Sequence, residues 1–100
     1  MSLILAGTFR VPPENLEALK LHMLAVIAAS RAEDGCLSYA FGLDLEDAGL
    51  VHVFERWRDR AALDAHFATP HMAARRQARE ALGFHDRRLT AYEVAAEREG

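Results

Sequence analysis

The sequence contains a single cysteine, Cys36, which rules out an internal disulfide and any cluster of thiolate metal ligands and suits a reducing cytoplasm. It has no long apolar run. The start, Met1-Ser2-Leu3-Ile4-Leu5-Ala6-Gly7, is greasy but lacks a positive leader and falls far short of the roughly 20 residues a membrane helix needs, so it reads as a first strand. Charge of one sign is also missing: 12 Lys and Arg face 15 Asp and Glu, a net of −3. The arginines at 56, 58, 60, 75, 76, 79, 87 and 88 lie among acids and read as solvated helix faces. Nucleic acid, which needs a concentrated positive face, is not an expected partner. No glycine-rich phosphate loop, nucleophile elbow or Walker lysine occurs, which leaves nucleotide chemistry without support.

What is present is an ordinary globular composition, 51% apolar and 27% charged over 100 residues, and residues 1–100 are expected to form one domain with a frayed tail from about residue 96. A chain this long buries roughly two thirds of its unfolded surface around one thin core. Leu3 to Val11 is β-rich and stops at Pro12-Pro13, which cannot extend a ladder. Glu14 to Arg31 places Leu16, Leu19, Met23, Val26, Ile27 and Ser30 on one helical stripe. After the break at Glu33-Asp34-Gly35, Cys36 to Leu43 alternates small residues with Leu37, Tyr39, Phe41 and Leu43, the period of a strand with one bulky face. Asp44 to Gly49 is a turn, and Leu50 to Trp57 returns as a third strand. Asp59 caps a short helix reaching Ala68, and Thr69-Pro70 restarts a helix from His71 to Leu82 that Gly83 ends. Leu89 to Ala95 supplies the last strand.

That order predicts an α+β fold of ferredoxin-like βαββαβ type, an antiparallel sheet with helices on one face. The uncovered face should be polar, yet both parities are apolar: Leu3, Leu5 and Phe9 against Ile4 and Ala6, and Val51, Val53 and Trp57 against Leu50 and Phe54. With no residues left to cover the second face, the pattern predicts a homodimer packed sheet to sheet.

The stretch from His52 to His71 carries a more specific pattern. A strand closing on Glu55-x-Trp57, a capped turn, the helix Ala61-x-Leu63-x-x-His66 and the restart Thr69-Pro70-His71 resemble the antibiotic biosynthesis monooxygenase family, and the first helix, the Asp34-Gly35-Cys36 turn and the second strand agree with it. The resemblance implies a dimeric α+β barrel and, by the family's quinol and anthrone oxygenases, oxidation of a small aromatic quinol or polyketide-like phenol by molecular oxygen with no metal, flavin or other cofactor. Haem-degrading relatives pair a strand-one asparagine with the tryptophan and histidine. Gly7 and Thr8 stand on strand one here and no asparagine does, which steers the reading away from haem. The same fold also hosts non-catalytic, dimeric ligand-binding modules.

Such chemistry asks for a base, a dry aromatic cavity and a donor for a developing oxyanion or peroxide. His66 is the candidate base or proton shuttle, or else a helix-packing histidine. Trp57 is a cavity wall with an indole donor, a core anchor, or both. Glu55 shares a strand face with Val53 and Trp57, where it is either a carboxyl with a raised pKa or half of a salt bridge. Tyr39 and Phe41 can stack on a planar substrate or fill the core, and His71 can close the pocket or face solvent in its helix's first turn. His52, on the opposite parity, faces either the sheet partner or the pocket. No metal site is expected: His66 and His71 stand five apart across Pro70, not at the i, i+4 spacing of one helical face, and His22, His52 and His85 lie on separate elements.

Overall fold

A computed structural model describes all of residues 1–100. Its elements are β1 (Leu3–Arg10), α1 (Leu16–Arg31), β2 (Cys36–Leu43), β3 (Leu50–Trp57), α2 (Arg60–Phe67), α3 (Pro70–Leu82) and β4 (His85–Glu93), with a 3-10 turn at Pro13–Asn15 leading into α1. The four strands form one sheet in the order β2-β3-β1-β4, every neighbouring pair antiparallel. This is the expected α+β ferredoxin-like arrangement.

Local chemistry accounts for the breaks. The Asp59 carboxylate accepts a 2.9 Å hydrogen bond from the Ala62 amide, and Thr69 Oγ1 accepts from the Met72 amide at 3.3 Å, so each short helix has one first-turn amide met by its own cap. Gly83 takes the left-handed conformation, φ 76°, that stops α3. Asn15 Nδ2 donates to the Leu82 carbonyl at 2.9 Å and ties the end of α3 to the start of α1.

The helices cover one face of the sheet. Leu3, Leu5, Phe9, Tyr39, Val51, Val53 and Trp57 meet Leu19, Met23 and Val26 of α1, Leu63 of α2 and Met72 of α3 in one core. The other face, with Ile4, Ala6 and Ala40 around the exposed Phe54 and Tyr92, carries no helix.

The boundaries of two strands depart from the alternation read in the sequence. In β2 the register slips by one residue: Cys36 stands opposite Trp57 and Ser38 opposite Arg56, so Leu37 is extra and its side chain is exposed. Cys36 thereby joins the face of Tyr39 and Phe41 and packs on the core, and the bulky-face pattern holds only from Tyr39 onward. The last strand begins at His85 rather than Leu89. Residues 85–88 are charged and exposed, and they pair with β1 through backbone alone, as an edge strand can without an apolar pattern.

At Gly7 there is no room for a side chain: an added Cβ would lie 1.8 Å from the Arg88 carbonyl oxygen of β4. Gly7→Ala is expected to destabilise the fold by about 2 to 4 kcal/mol in urea unfolding, whereas Gly42→Ala, where a Cβ meets nothing within 4 Å, changes it by less than about 0.5 kcal/mol. Asp59→Ala removes the α2 cap and is expected to cost about 1 kcal/mol in the same assay.

Candidate functional site

α2 follows β3 directly, and this brings His66 back over the end of the sheet. Its side chain is fully buried, with ring centroids 4.5 Å from Trp57 and 5.4 Å from Tyr39. His66 Nδ1 lies 2.6 Å from Glu33 Oε2. The same oxygen lies 2.9 Å from Nε2 of His71, the second residue of α3. A carboxylate oxygen only accepts, so both ring nitrogens donate to it, and in a neutral His66 the proton stands on Nδ1.

The tautomer leaves Nε2 of His66 as a bare acceptor. That nitrogen is buried and has no hydrogen-bond partner; Oε1 of Glu55 lies 3.9 Å away and itself accepts from Trp57 Nε1 at 3.1 Å. The result is a polar string running His71, Glu33, His66, Glu55, Trp57, half-buried at its first two members and buried from His66 inward. Burial pushes the His66 pKa down, with Glu33 opposing, and so favours the neutral ring. Burial pushes the Glu55 carboxyl up against the pull of the Trp57 indole and Arg75. Two groups whose environments move them toward each other's range can exchange a proton at small cost.

A second buried polar group lies beside this string. Arg75 is 2% exposed, and its guanidinium carbon sits 5.6, 5.7 and 5.9 Å from the ring centroids of Phe41, Phe84 and Phe9. Its Nε and Nη2 have no acceptor. Burial lowers its pKa, and the proximity of Tyr39 and Glu55 works the other way; burial and Glu55 together raise the Tyr39 phenol.

The largest cavity, about 310 Å³, opens between α1 and the sheet. Leu19, Met23 and Ile27, with Phe41 and Val51 below, make it apolar, and Lys20 is its one charged neighbour. It does not open onto His66. Phe41 stands between, lining the cavity while lying 5.3 Å, centroid to centroid, from Tyr39. The crevice read from the Trp57-to-His66 spacing is therefore closed: those two rings touch, and aromatic side chains fill the space.

The structure thus brings His66, Trp57, Glu55, Tyr39 and His71 together and puts Phe41 at the join with the cavity. His71 does not simply face solvent; its ring anchors Glu33. His52 is not part of the group. Its parity puts it on the uncovered face, exposed, with Nε2 2.8 Å from Asp44 Oδ1. Two members escape a reading of the sequence. Glu33 sits in a helix-breaking tripeptide, where an acid is unremarked. Arg75 was expected on a solvated face, although Met72, Arg75, Arg79 and Leu82 fall at helical spacing, and that stripe is the signal that it points inward. The two histidines lie on different helices, as their spacing implies, and the break between α2 and α3 brings ligand atoms of Glu33, His66 and His71 within 4.8 Å of one another.

Comparison with known proteins bears on the family and the fold. Residues 2–78 match the family described as antibiotic biosynthesis monooxygenase. An uncharacterised Synechocystis protein is 41% identical over 69 residues, 69% of this chain and 47% of that protein. The Mycobacterium tuberculosis protein Rv0793, whose name proposes a monooxygenase, is 43% identical over 63 residues, 63% of this chain and 61% of that one. The matches thus span only about half to three fifths of these two relatives' length. A crystal structure from Deinococcus radiodurans, described as a proposed antibiotic biosynthesis monooxygenase, superposes with a TM-score of 0.88 at 28% identity, covering 99% of this chain and 97% of that one. With more than half of its residues matched to the family, the chain belongs to the antibiotic biosynthesis monooxygenases.

Proposed function

We propose that the chain is a cofactor-independent monooxygenase that oxidises a small aromatic quinol or polyketide-like phenol with molecular oxygen, as a homodimer paired through the uncovered sheet faces. The observation that carries this reading is the buried His66, oriented by Glu33 at Nδ1 and left with an unpartnered Nε2. A buried acceptor without a donor costs about 1–3 kcal/mol, and on His66 it stands on an imidazole whose other nitrogen is already fixed by a carboxylate, the arrangement a general base needs.

The chemistry follows from the groups. A planar substrate enters the apolar cavity and displaces the Phe41 ring, which brings its hydroxyl toward Tyr39, His66 and Arg75. His66 Nε2 takes a proton, and Glu33 steadies the resulting imidazolium as the acid of a catalytic triad does. The anion passes one electron to oxygen, and the two radicals join as a carbon-bound peroxide that Arg75, short of an acceptor, is placed to stabilise. His66 returns its proton to the outer peroxide oxygen; the C–H bond at the peroxide carbon then breaks, its electron pair forming C=O as the O–O bond cleaves, and the departing hydroxide takes up the C–H proton and leaves as water. The ring carbon, a CH2 in the keto form of the phenol, thus becomes C=O, with one oxygen atom kept in the product and the other in water.

The apolar residues of the uncovered face support the pairing, since Phe54 and Tyr92 are large and exposed there. One observation favours a second reading, a non-catalytic binding module: the cavity is walled off from His66 by Phe41 and Tyr39.

Chelator-treated protein is expected to consume oxygen with a panel of hydroquinones and anthrones, and His66→Ala to lower kcat/KM by about 10² to 10⁴. Oxygen uptake at the uncatalysed rate, together with a ligand-induced rise in Tm, would establish the binding module instead. Arg75→Met is expected to raise stability by about 1 to 3 kcal/mol, because the desolvation of an acceptor-less guanidinium exceeds its attraction to three rings near the limit of cation–π range, while turnover falls. Phe54→Lys is expected to convert the dimer to a monomer in sedimentation velocity.

A further inference from the structure

We propose that Glu33, His66 and His71 form a binding site for a divalent cation of the zinc type, and that its occupancy reverses the hydrogen-bonding sense of His66 Nε2. Two imidazole nitrogens and one carboxylate oxygen are a donor set that zinc takes with a fourth position left open, and that magnesium and calcium do not favour. The three residues come from separate elements, the α1–β2 turn, α2 and α3, yet their ligand atoms all lie within 4.8 Å of one another. The Glu33 oxygen already stands 2.6 and 2.9 Å from the two nitrogens. A cation at about 2.0–2.2 Å from each ligand takes the place of the two shared protons once the Glu33 oxygen backs away and the imidazoles pivot, bringing the three ligand atoms to the roughly 3.4 Å edges of a tetrahedral shell.

Access is one-sided. The His66 side chain is 0% exposed, while those of Glu33 and His71 are 14% and 20% exposed, so the ligands close the inner side of the site and leave the outer side to solvent. An ion entering from outside completes its shell with water.

Coordination changes the histidine chemistry without changing the proton count. In the metal-free protein, Nδ1 of His66 and Nε2 of His71 carry protons donated to Glu33. Bound to a cation, each of those nitrogens gives its lone pair, and the proton moves to the other nitrogen of the same ring. Nε2 of His66 then becomes an N–H aimed at Glu55. The geometry of the site stands alone; the further consequence, that zinc inhibits turnover, rests on the reading of Nε2 as the proton acceptor.

The probes are Co²⁺ and Zn²⁺ added to chelator-stripped, full-length protein. One equivalent per chain is expected, with the intense visible bands of four-coordinate Co²⁺ and a Zn²⁺-dependent rise in Tm. His71→Ala and Glu33→Gln should each weaken Zn²⁺ binding by at least tenfold, and His52→Ala should leave it unchanged. Long-range ¹H–¹⁵N spectra of the histidine rings read the second half directly, with His66 passing from the Nδ1–H to the Nε2–H form on saturation. Absence of binding up to millimolar Zn²⁺, or binding indifferent to both variants, would overturn the site. Zinc bound while His66 keeps its Nδ1 proton would overturn the reversal. Inhibition of oxygen uptake by Zn²⁺, read as a fraction of each protein's own metal-free rate and requiring at least tenfold more Zn²⁺ in His71→Ala than in the wild type, tests the consequence; if the metal-free wild type has no uptake, the monooxygenase reading fails while the spectra still decide the site.

Discussion

One carboxylate oxygen, Glu33 Oε2, organises the interior end of this molecule. It accepts from histidines on two different helices, and through His66 it determines which nitrogen faces the core. Placed on the turn between α1 and β2, it ties that turn to α2 and α3 at a point where the backbone itself offers no regular pairing. The fold supplies the approach of these elements, and the carboxylate converts the approach into a fixed ring orientation and tautomer. Without it the imidazole would be a buried heteroaromatic ring with no defined polarity.

The polar interior is expensive for a chain of this size. A core of 14 buried apolar residues also contains Glu55, His66 and Arg75. Their neighbours only partly offset the loss of water: an indole for Glu55, a carboxylate for one side of His66, aromatic faces for Arg75. A sequence selected for stability alone would place hydrocarbon at each position, because replacing buried charge with matched apolar volume is commonly neutral or favourable. Their retention beside an apolar cavity supports the proposed chemistry on a bound aromatic molecule.

Much of this was legible in the residues. Asp59, Thr69-Pro70 and Gly83 mark helix ends by local chemistry, and the Leu19, Met23, Val26 stripe needs only helical period to be read. Strand parity put Glu55 and Trp57 on one face and His52 on the other, though it left open which face the helices cover. What escaped depends on tertiary approach. The bulge at Leu37 shifts a register that alternation alone cannot reveal, and the start of β4 is held by backbone bonds that leave no trace in side-chain pattern. Glu33 has meaning only through two histidines more than thirty positions away. Arg75 was hidden by its type, since arginine is rarely buried without a partner.

Trp57 is the single tryptophan of the chain. Its indole donates to Glu55 and lies against the His66 ring, so tryptophan fluorescence, excited selectively at the red edge of the absorption band, arises entirely from within the polar string. An imidazolium at that distance quenches an indole more than a neutral imidazole does, and a change in the carboxylate that holds the indole N–H shifts its emission. The molecule therefore carries a built-in optical reporter, reading the charge of its own interior without label or substrate.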